Sequence, residues 1–527
     1  MNKTLISLAI GALLLQACSK PAEPTAKVEA HAATVAWVKP DGANIDAIFA
    51  QAKASNKPVF LYWGAVWCPP CNQVKATVFN RQDFLERSNM VIPVYLDGDT
   101  PGAQKLGAQF KVKGYPTMIL FKPDRTELTR LPGEVDAQRY VEVLDMAIAS
   151  GITLKESLGL ALGADKGKLT SQAWRQLAYY SWDQDEAQLV NAKDKILTLQ
   201  KLAAACPSDQ PGTAGRFALK AIVAHAQENK PVSDAAASTT QLQTILADAA
   251  LSREAFDILV NYAADIVSAL HPKPSTERQA LIAQWSIAMD RLYSDAKLSN
   301  SDRLSAVYAK LALARIDVPK DGKFLATDPL LTQVREAVAT ANKGISSQYE
   351  RQAVIPGAAD LLSEAGLLDE SDALLKAELP KALSPYYHML VLSSNAKTRG
   401  DVKASLDWAE RAWNESQGPA TRLQWGTGYL TRLIDATPQD EARIAKAAMG
   451  IVQEVEPKPE TFYERNVRNL SKLGAKLNAW NVRGDHGKVV ESVAKQVEAL
   501  CAKLPPNDET KATCSGISRQ IGAKAKT

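Results

Sequence analysis

The sequence predicts an α/β domain of roughly 110 residues followed by a large all-α array of helical hairpins, an α-solenoid or a bundle. Three observations carry this. The apolar run Pro58-Val59-Phe60-Leu61-Tyr62-Trp63 leads into Trp67-Cys68-Pro69-Pro70-Cys71 and then into the helix-compatible stretch Asn72 to Phe79, so strand, tight turn and helix follow one another. A second turn, Gly114-Tyr115-Pro116-Thr117, opens the apolar run Met118 to Phe121. From Gly151 on, β-branched runs become sparse and Ala, Leu, Lys, Gln and Glu dominate at helical spacing.

With 527 residues the chain exceeds one ordinary core, so two or more domains are expected. Sixty-two basic and 58 acidic residues leave a net charge of +4, too small and too evenly spread for a nucleic-acid surface. No glycine-rich phosphate loop and no zinc-finger spacing is present, and no cofactor is implied. Lys3 and the apolar stretch Leu5 to Leu15 form a targeting segment too short to span a bilayer. It ends in Leu15-Gln16-Ala17-Cys18, which resembles the lipobox of bacterial lipoproteins. That resemblance implies a signal peptide over residues 1–17 and lipid attachment at Cys18, with Ser19 pointing to the outer membrane. Gln16 is unusual there, and an ordinary secretory signal is the alternative. Either way the mature chain is exported, into a compartment where disulfides form. Residues 18–36, rich in Ala, Pro, Lys and Glu, read as a flexible tether.

Residues 37–150 are expected to form the α/β domain. Ile45, Ile48, Phe49 and Ala52 lie at helical spacing, with Asn44 as the expected cap. After the cysteine turn come a short helix near Asp83 to Arg87, a β-rich run Met90 to Leu96, and the turn Asp97-Gly98-Asp99. A helix over Ala103 to Phe110, strands Met118 to Phe121 and Glu127 to Leu131, and an amphipathic helix Asp136 to Ser150 complete the segment.

A Cys-x-x-Cys pair alone also reads as half of a zinc site. Together with Gly114-Tyr115-Pro116-Thr117 and Gly133 before the last helix, it resembles the thioredoxin fold family, most closely its exported reductases and tethered interchange proteins. The resemblance implies a cis peptide at Tyr115-Pro116 that faces the sulfurs and leaves a backbone edge for an extended substrate. Trp67, Pro69, Pro70, Tyr115, Pro116 and Thr117 would surround and support the pair. Cys68, at a helix start and the more exposed sulfur, is expected to be the attacking thiolate, and Cys71 the resolving thiol. Two prolines remove amides that would otherwise donate to the thiolate, which favours a reducing poise. The chain departs from the family at Tyr62, where thioredoxins carry a buried acid. Cys71 must then lose its proton to water, to Lys75 or to the partner.

The remainder, 151–527, reads as helical hairpins broken by clusters such as Cys206-Pro207-Ser208-Asp209 and His271-Pro272-Lys273-Pro274. Gly366 and Gly400 lie 34 residues apart, the tetratricopeptide period, with Leu392 and Ala412 where that repeat wants a leucine and a small residue. A tetratricopeptide-like stretch around 355–450 and an irregular bundle are both open. His225, His271, His388 and His486 are scattered, and the tryptophans read as core. Six cysteines occur; Cys501 and Cys514 are the preferred structural disulfide, leaving Cys206 odd.

The leading functional expectation is thiol–disulfide exchange on disulfide-bearing exported proteins, as reductase or isomerase, supplied by a membrane thiol donor. The array would bind a partner. The alternative is a periplasmic scaffold lipoprotein whose α/β domain is mainly structural. The two differ in whether the cysteine pair turns over.

Overall fold

The computed structural model describes residues 34–40, 44–131, 135–182, 189–319, 322, 324–345 and 347–522. The expected signal segment, Cys18, most of the tether and Gly133 lie outside them. From Val35 onward the chain forms one compact unit. Val35 and Trp37 pack on the core, and Val38 bridges Val94 in parallel. Trp37 lies against Phe60, Tyr62, Phe79 and Tyr95. An indole that size removes enough apolar area from water to hold the end of a tether down.

Four strands, β1 (Val59–Gly64), β2 (Ile92–Asp97), β3 (Thr117–Phe121) and β4 (Glu127–Leu131), form one sheet in the order β2-β1-β3-β4. The β1–β2 pair is parallel, whereas β1–β3 and β3–β4 are antiparallel. Every residue of β1 is buried, which explains why it reads as an unbroken apolar run rather than an alternation. Val59, Leu61 and Trp63 point to one face, packing with Ile48, Phe49 and Leu106. Phe60 and Tyr62 point to the other, with Val74, Phe84 and Tyr140. The helices supplying those partners are α1 (Asp46–Ser55), α2 (Pro69–Thr77), α3 (Gln82–Ser88), α4 (Pro101–Gln109) and α5 (Ala137–Ser150). The cap of α1 falls at Ile45 rather than Asn44. The Asn44 carboxamide sits one residue further out and accepts the Asp46 N–H at 3.0 Å.

Twenty further α-helices follow among the described residues, from Leu154–Leu162 to Glu509–Gly522. Sequence neighbours pack as hairpins, for example Pro385–Arg399 on Val402–Glu415 and Gly487–Ala502 on Glu509–Gly522. Cys501 and Cys514 are joined by a disulfide across the latter pair, with Cα atoms 5.6 Å apart. Among the described residues no helix is long and apolar enough to cross a membrane.

The array is not a separate body. Tyr179, from the helix Ser171–Tyr179, belongs to the core beneath the sheet. Asp136 caps α5 by accepting the Gln138 and Arg139 amides, and its two oxygens also take the Arg253 guanidinium at 2.7 and 2.9 Å. On α2, Gln73 donates to the buried Asp302 carboxylate at 2.9 Å. Buried charges and amides cost free energy unless paired, so each of these contacts specifies how the array sits on the α/β layer.

Candidate active site

Cys68 is the N-cap of α2, and Pro69 and Pro70 occupy its first two helical positions. Neither proline has an N–H. The first amide the helix can offer is therefore that of Cys71, and it donates to Cys68 Sγ at 3.2 Å. The two cysteines are disulfide-bonded, with Cα atoms 5.2 Å apart. Asn72, fully buried, ties the turn from below: its side-chain amide donates to the Val66 carbonyl at 2.7 Å and the Cys68 carbonyl at 2.9 Å.

The second loop closes the other side. Tyr115–Pro116 is cis, and the Tyr115 carbonyl oxygen lies 3.6 Å from Cys68 Sγ. Thr117 is buried and donates to the Gly114 carbonyl at 2.9 Å, fixing the start of β3. The Tyr115 hydroxyl donates to the Gly98 carbonyl at 3.0 Å and accepts the Gln104 side-chain amide at 2.9 Å. Gly98 has to be glycine, because a Cβ there would sit 2.2 Å from the Tyr115 ring.

Cys68 is the more exposed sulfur-bearing residue only in a narrow sense, at 3% against 0% for Cys71. The helical array is what keeps even Cys68 so nearly buried. Trp67 stacks on Tyr387 with ring centroids 5.9 Å apart and meets Trp425 edge-on at 5.0 Å. Its carbonyl accepts the Gln352 side-chain amide at 3.2 Å. Arg465 reaches over both walls, 5.5 Å from the Trp67 ring and 5.5 Å from the Tyr115 ring. The helices Gln348–Glu364, Pro385–Arg399, Pro419–Ala436 and Glu464–Trp480 thus cover the cysteine pair.

The cover is held by a polar clamp. Asp99, after β2, accepts the Thr421 N–H at 2.7 Å and the Thr421 hydroxyl at 2.8 Å, and pairs with Arg465 at 2.6 Å. Burial raises the Asp99 carboxyl above its ordinary value, with Arg465 and Thr421 opposing that rise. Gln104 completes the link, because its carbonyl oxygen accepts the Arg465 backbone N–H at 3.1 Å. None of Asp99, Gln104, Gln352, Thr421, Tyr387 and Arg465 stands out as a site residue in the sequence. No local spacing carries them, since the partners are some 300 positions apart, 366 for Arg465 and Asp99.

Tyr62 occupies the position of the family's acid. It is buried, its hydroxyl donates to the Cys71 carbonyl at 3.4 Å, and burial drives its pKa far up, so it stays protonated. Lys75, one turn beyond Cys71, lies 5.5 Å from the Tyr95 ring and 5.6 Å from the Tyr349 ring. Burial lowers its amine's pKa, which eases formation of the neutral base. Cys206 is half-buried, and burial with Asp209 nearby pushes its thiol up to about 11, which makes it a poor nucleophile.

A cysteine pair at the start of a helix, opposite a cis-proline loop on this sheet, defines the class of thiol–disulfide oxidoreductases. Residues 45–148 match the model of the thioredoxin-like domain family. The chain belongs to the thioredoxin family through this segment: 88 residues are 31% identical to thioredoxin of Mycolicibacterium smegmatis, covering 17% of this chain and 76% of that protein. Over 129 residues it is 34% identical to thiol:disulfide interchange protein DsbD 2 of Pseudomonas aeruginosa, covering 24% of this chain and 21% of that one. The interchange protein DsbD 1 of the same organism is 29% identical over 113 residues, covering 20% of this chain and 18% of that protein. The chain thus spans about a fifth of the length of these two interchange proteins.

Proposed function

We propose that the chain is an exported, lipid-anchored thiol–disulfide exchange protein in which Cys68 attacks and Cys71 resolves. The observation that carries this is the position of Cys68: at the helix start, receiving the Cys71 amide, beside the cis Tyr115–Pro116 loop of a thioredoxin-family segment. Attack by the Cys68 thiolate forms a mixed disulfide, and attack by Cys71 on Cys68 Sγ releases the partner. Only one amide donates to Cys68 Sγ where a proline-free turn would offer more, and this supports reduction or isomerisation over net disulfide formation. Export and attachment at Cys18 rest on the Leu15-Gln16-Ala17-Cys18 motif. The pair would be kept reduced by a membrane thiol donor and act on disulfides of the exported compartment. Around 355–450 the array is read as tetratricopeptide-like, since Gly366 and Gly400 both adopt positive φ where one helix of a hairpin turns into the next. Its role is to govern access to the cysteine pair.

Equilibrating the folded protein with thiol buffers of graded potential, then counting alkylated thiols in the 68–71 peptide, tests this reading. Reversible two-electron titration is expected, and about 30 mV of potential corresponds to roughly tenfold in the equilibrium. A scaffold reading is favoured by one observation, the near-complete burial of Cys68. A pair that resists reduction until the protein unfolds decides for the scaffold.

A further inference from the structure

Beside Cys68 lies a pocket of about 280 Å³ built by both halves of the molecule, and what it offers is unlike a protein-docking groove. Trp67, Cys68, Pro69 and Tyr115 form its floor, and Arg465 and Arg468 close it from the helix Glu464–Trp480. The volume lies just below the range of small-molecule sites, roughly 300–1,000 Å³.

Two guanidinium groups line it: Arg468, which pairs with Glu464 at 2.7 Å, and Arg465, which pairs with Asp99 at 2.6 Å. The Arg465 side chain is only 9% exposed. Its Nη2 serves Asp99 and Thr421, but its Nε and Nη1 are buried with no hydrogen-bond partner among the described residues. Buried donors are nearly always paired, and a carboxylate is an acceptor that a guanidinium fork can hold through two N–H groups. The two rings that flank this guanidinium, Trp67 and Tyr115, also flank Cys68.

We propose that this pocket binds a small disulfide or thiol bearing a carboxylate, with Arg465 receiving the carboxylate and so setting the sulfur against Cys68. The proposal rests on the exchange reading above and names its substrate class. The reaction balances without a further reagent. The Cys68 thiolate attacks one sulfur of RS–SR, forming Cys68–SR and releasing RS⁻, which takes a proton from solvent. The Cys71 thiolate then attacks Cys68 Sγ, the mixed disulfide breaks, and a second RS⁻ leaves. RS–SR gains two electrons and becomes two thiols, while the cysteine pair is oxidised to its disulfide.

The test uses the full chain with its cysteine pair reduced. Its rates of oxidation by dithiodipropionate (anionic), hydroxyethyl disulfide (neutral), cystamine (cationic) and insulin are each divided by those of free dithiothreitol with the same disulfide. About tenfold preference for dithiodipropionate over hydroxyethyl disulfide is expected, with cystamine slowest, since a charge-assisted hydrogen bond is lost with the neutral compound. Arg465→Lys retains a cation for Asp99 but not the two spare donors, and Arg468→Gln alters a side chain that is 45% exposed. The anionic-to-neutral ratio should collapse towards one in the first and fall severalfold in the second. A ratio near one in the native chain, a ratio unchanged in both variants, or insulin outpacing dithiodipropionate overturns the proposal and leaves the exchange reading standing. Failure to exchange with every disulfide, dithiothreitol's own included, removes the exchange reading itself.

Discussion

Gly418 is where the cover over Cys68 is most open to attack by a single methyl group. Its φ is +87°, and a Cβ there would sit 2.0 Å from Asp99 Oδ2 and 2.6 Å from Asp99 Cγ. Gly418→Ala therefore carries two costs. An L-residue held in the left-handed region costs about 1–2 kcal/mol. Driving the Asp99 carboxylate aside also breaks its bonds from Thr421 and its pair with Arg465. Breaking a buried pair costs about 3–5 kcal/mol, because the second charge is left uncompensated. The total, about 4–7 kcal/mol, is relieved most cheaply by local opening of the clamp between the α/β layer and the helices Pro419–Ala436 and Glu464–Trp480. If that opening is what admits a reagent to Cys68, even about 4 kcal/mol raises the open fraction roughly a thousandfold. The assay is alkylation of reduced Cys68 by N-ethylmaleimide, followed as mass added to the 68–71 peptide. Gly516→Ala is the control, since a Cβ there meets nothing within 4 Å. An alkylation rate within twofold of the native chain, together with an unchanged Tm, would refute the clamp.

Other expectations follow from single sites. Cys71→Ser removes the resolving thiol, so mixed disulfides formed through Cys68 should accumulate and survive non-reducing electrophoresis, whereas Cys68→Ser should trap none. Burial pushes the Asp302 carboxyl up to about 6, from about 3.8 in the unfolded chain. The native state therefore binds the extra proton between those values, and stability should fall as pH rises through that window, by about 3 kcal/mol at 1.36 kcal/mol per unit. Asp302→Asn should flatten this component of urea unfolding measured from pH 4 to 7, and a native-minus-variant difference that grows with pH contradicts it. Replacing Cys501 and Cys514 with alanine opens a loop of 13 residues, and about 3 kcal/mol of stability should be lost, read as a lower urea midpoint that reductant no longer shifts.

Most of the α/β layer was legible because its signals are local. The run Val59–Trp63 is buried on both faces and so is apolar throughout, and Pro69 and Pro70 mark the first turn of α2 because only there is a missing amide cheap. Asn44 was misjudged by one position, since an Asx-type bond to Asp46 and a true cap look alike in sequence. Where the folded part begins is set by contacts far along the chain, since Trp37 packs against Phe60, Tyr62 and Phe79.

The cysteine pair, the strand before it and the helix after it were legible in sequence alone, because each depends on neighbours within a few residues, and the cis Tyr115–Pro116 bond was implied by the family resemblance. The tertiary structure decided who may reach the sulfur. Trp67 reads as a shield of the site, but whether it faces solvent or is stacked against Tyr387 and Trp425 depends on helices three hundred residues away. Asp99 reads as a turn residue until Arg465 and Thr421 arrive to hold it. Long-range pairs of this kind have no period and no motif, since the chain between them contributes nothing but the path that brings them together.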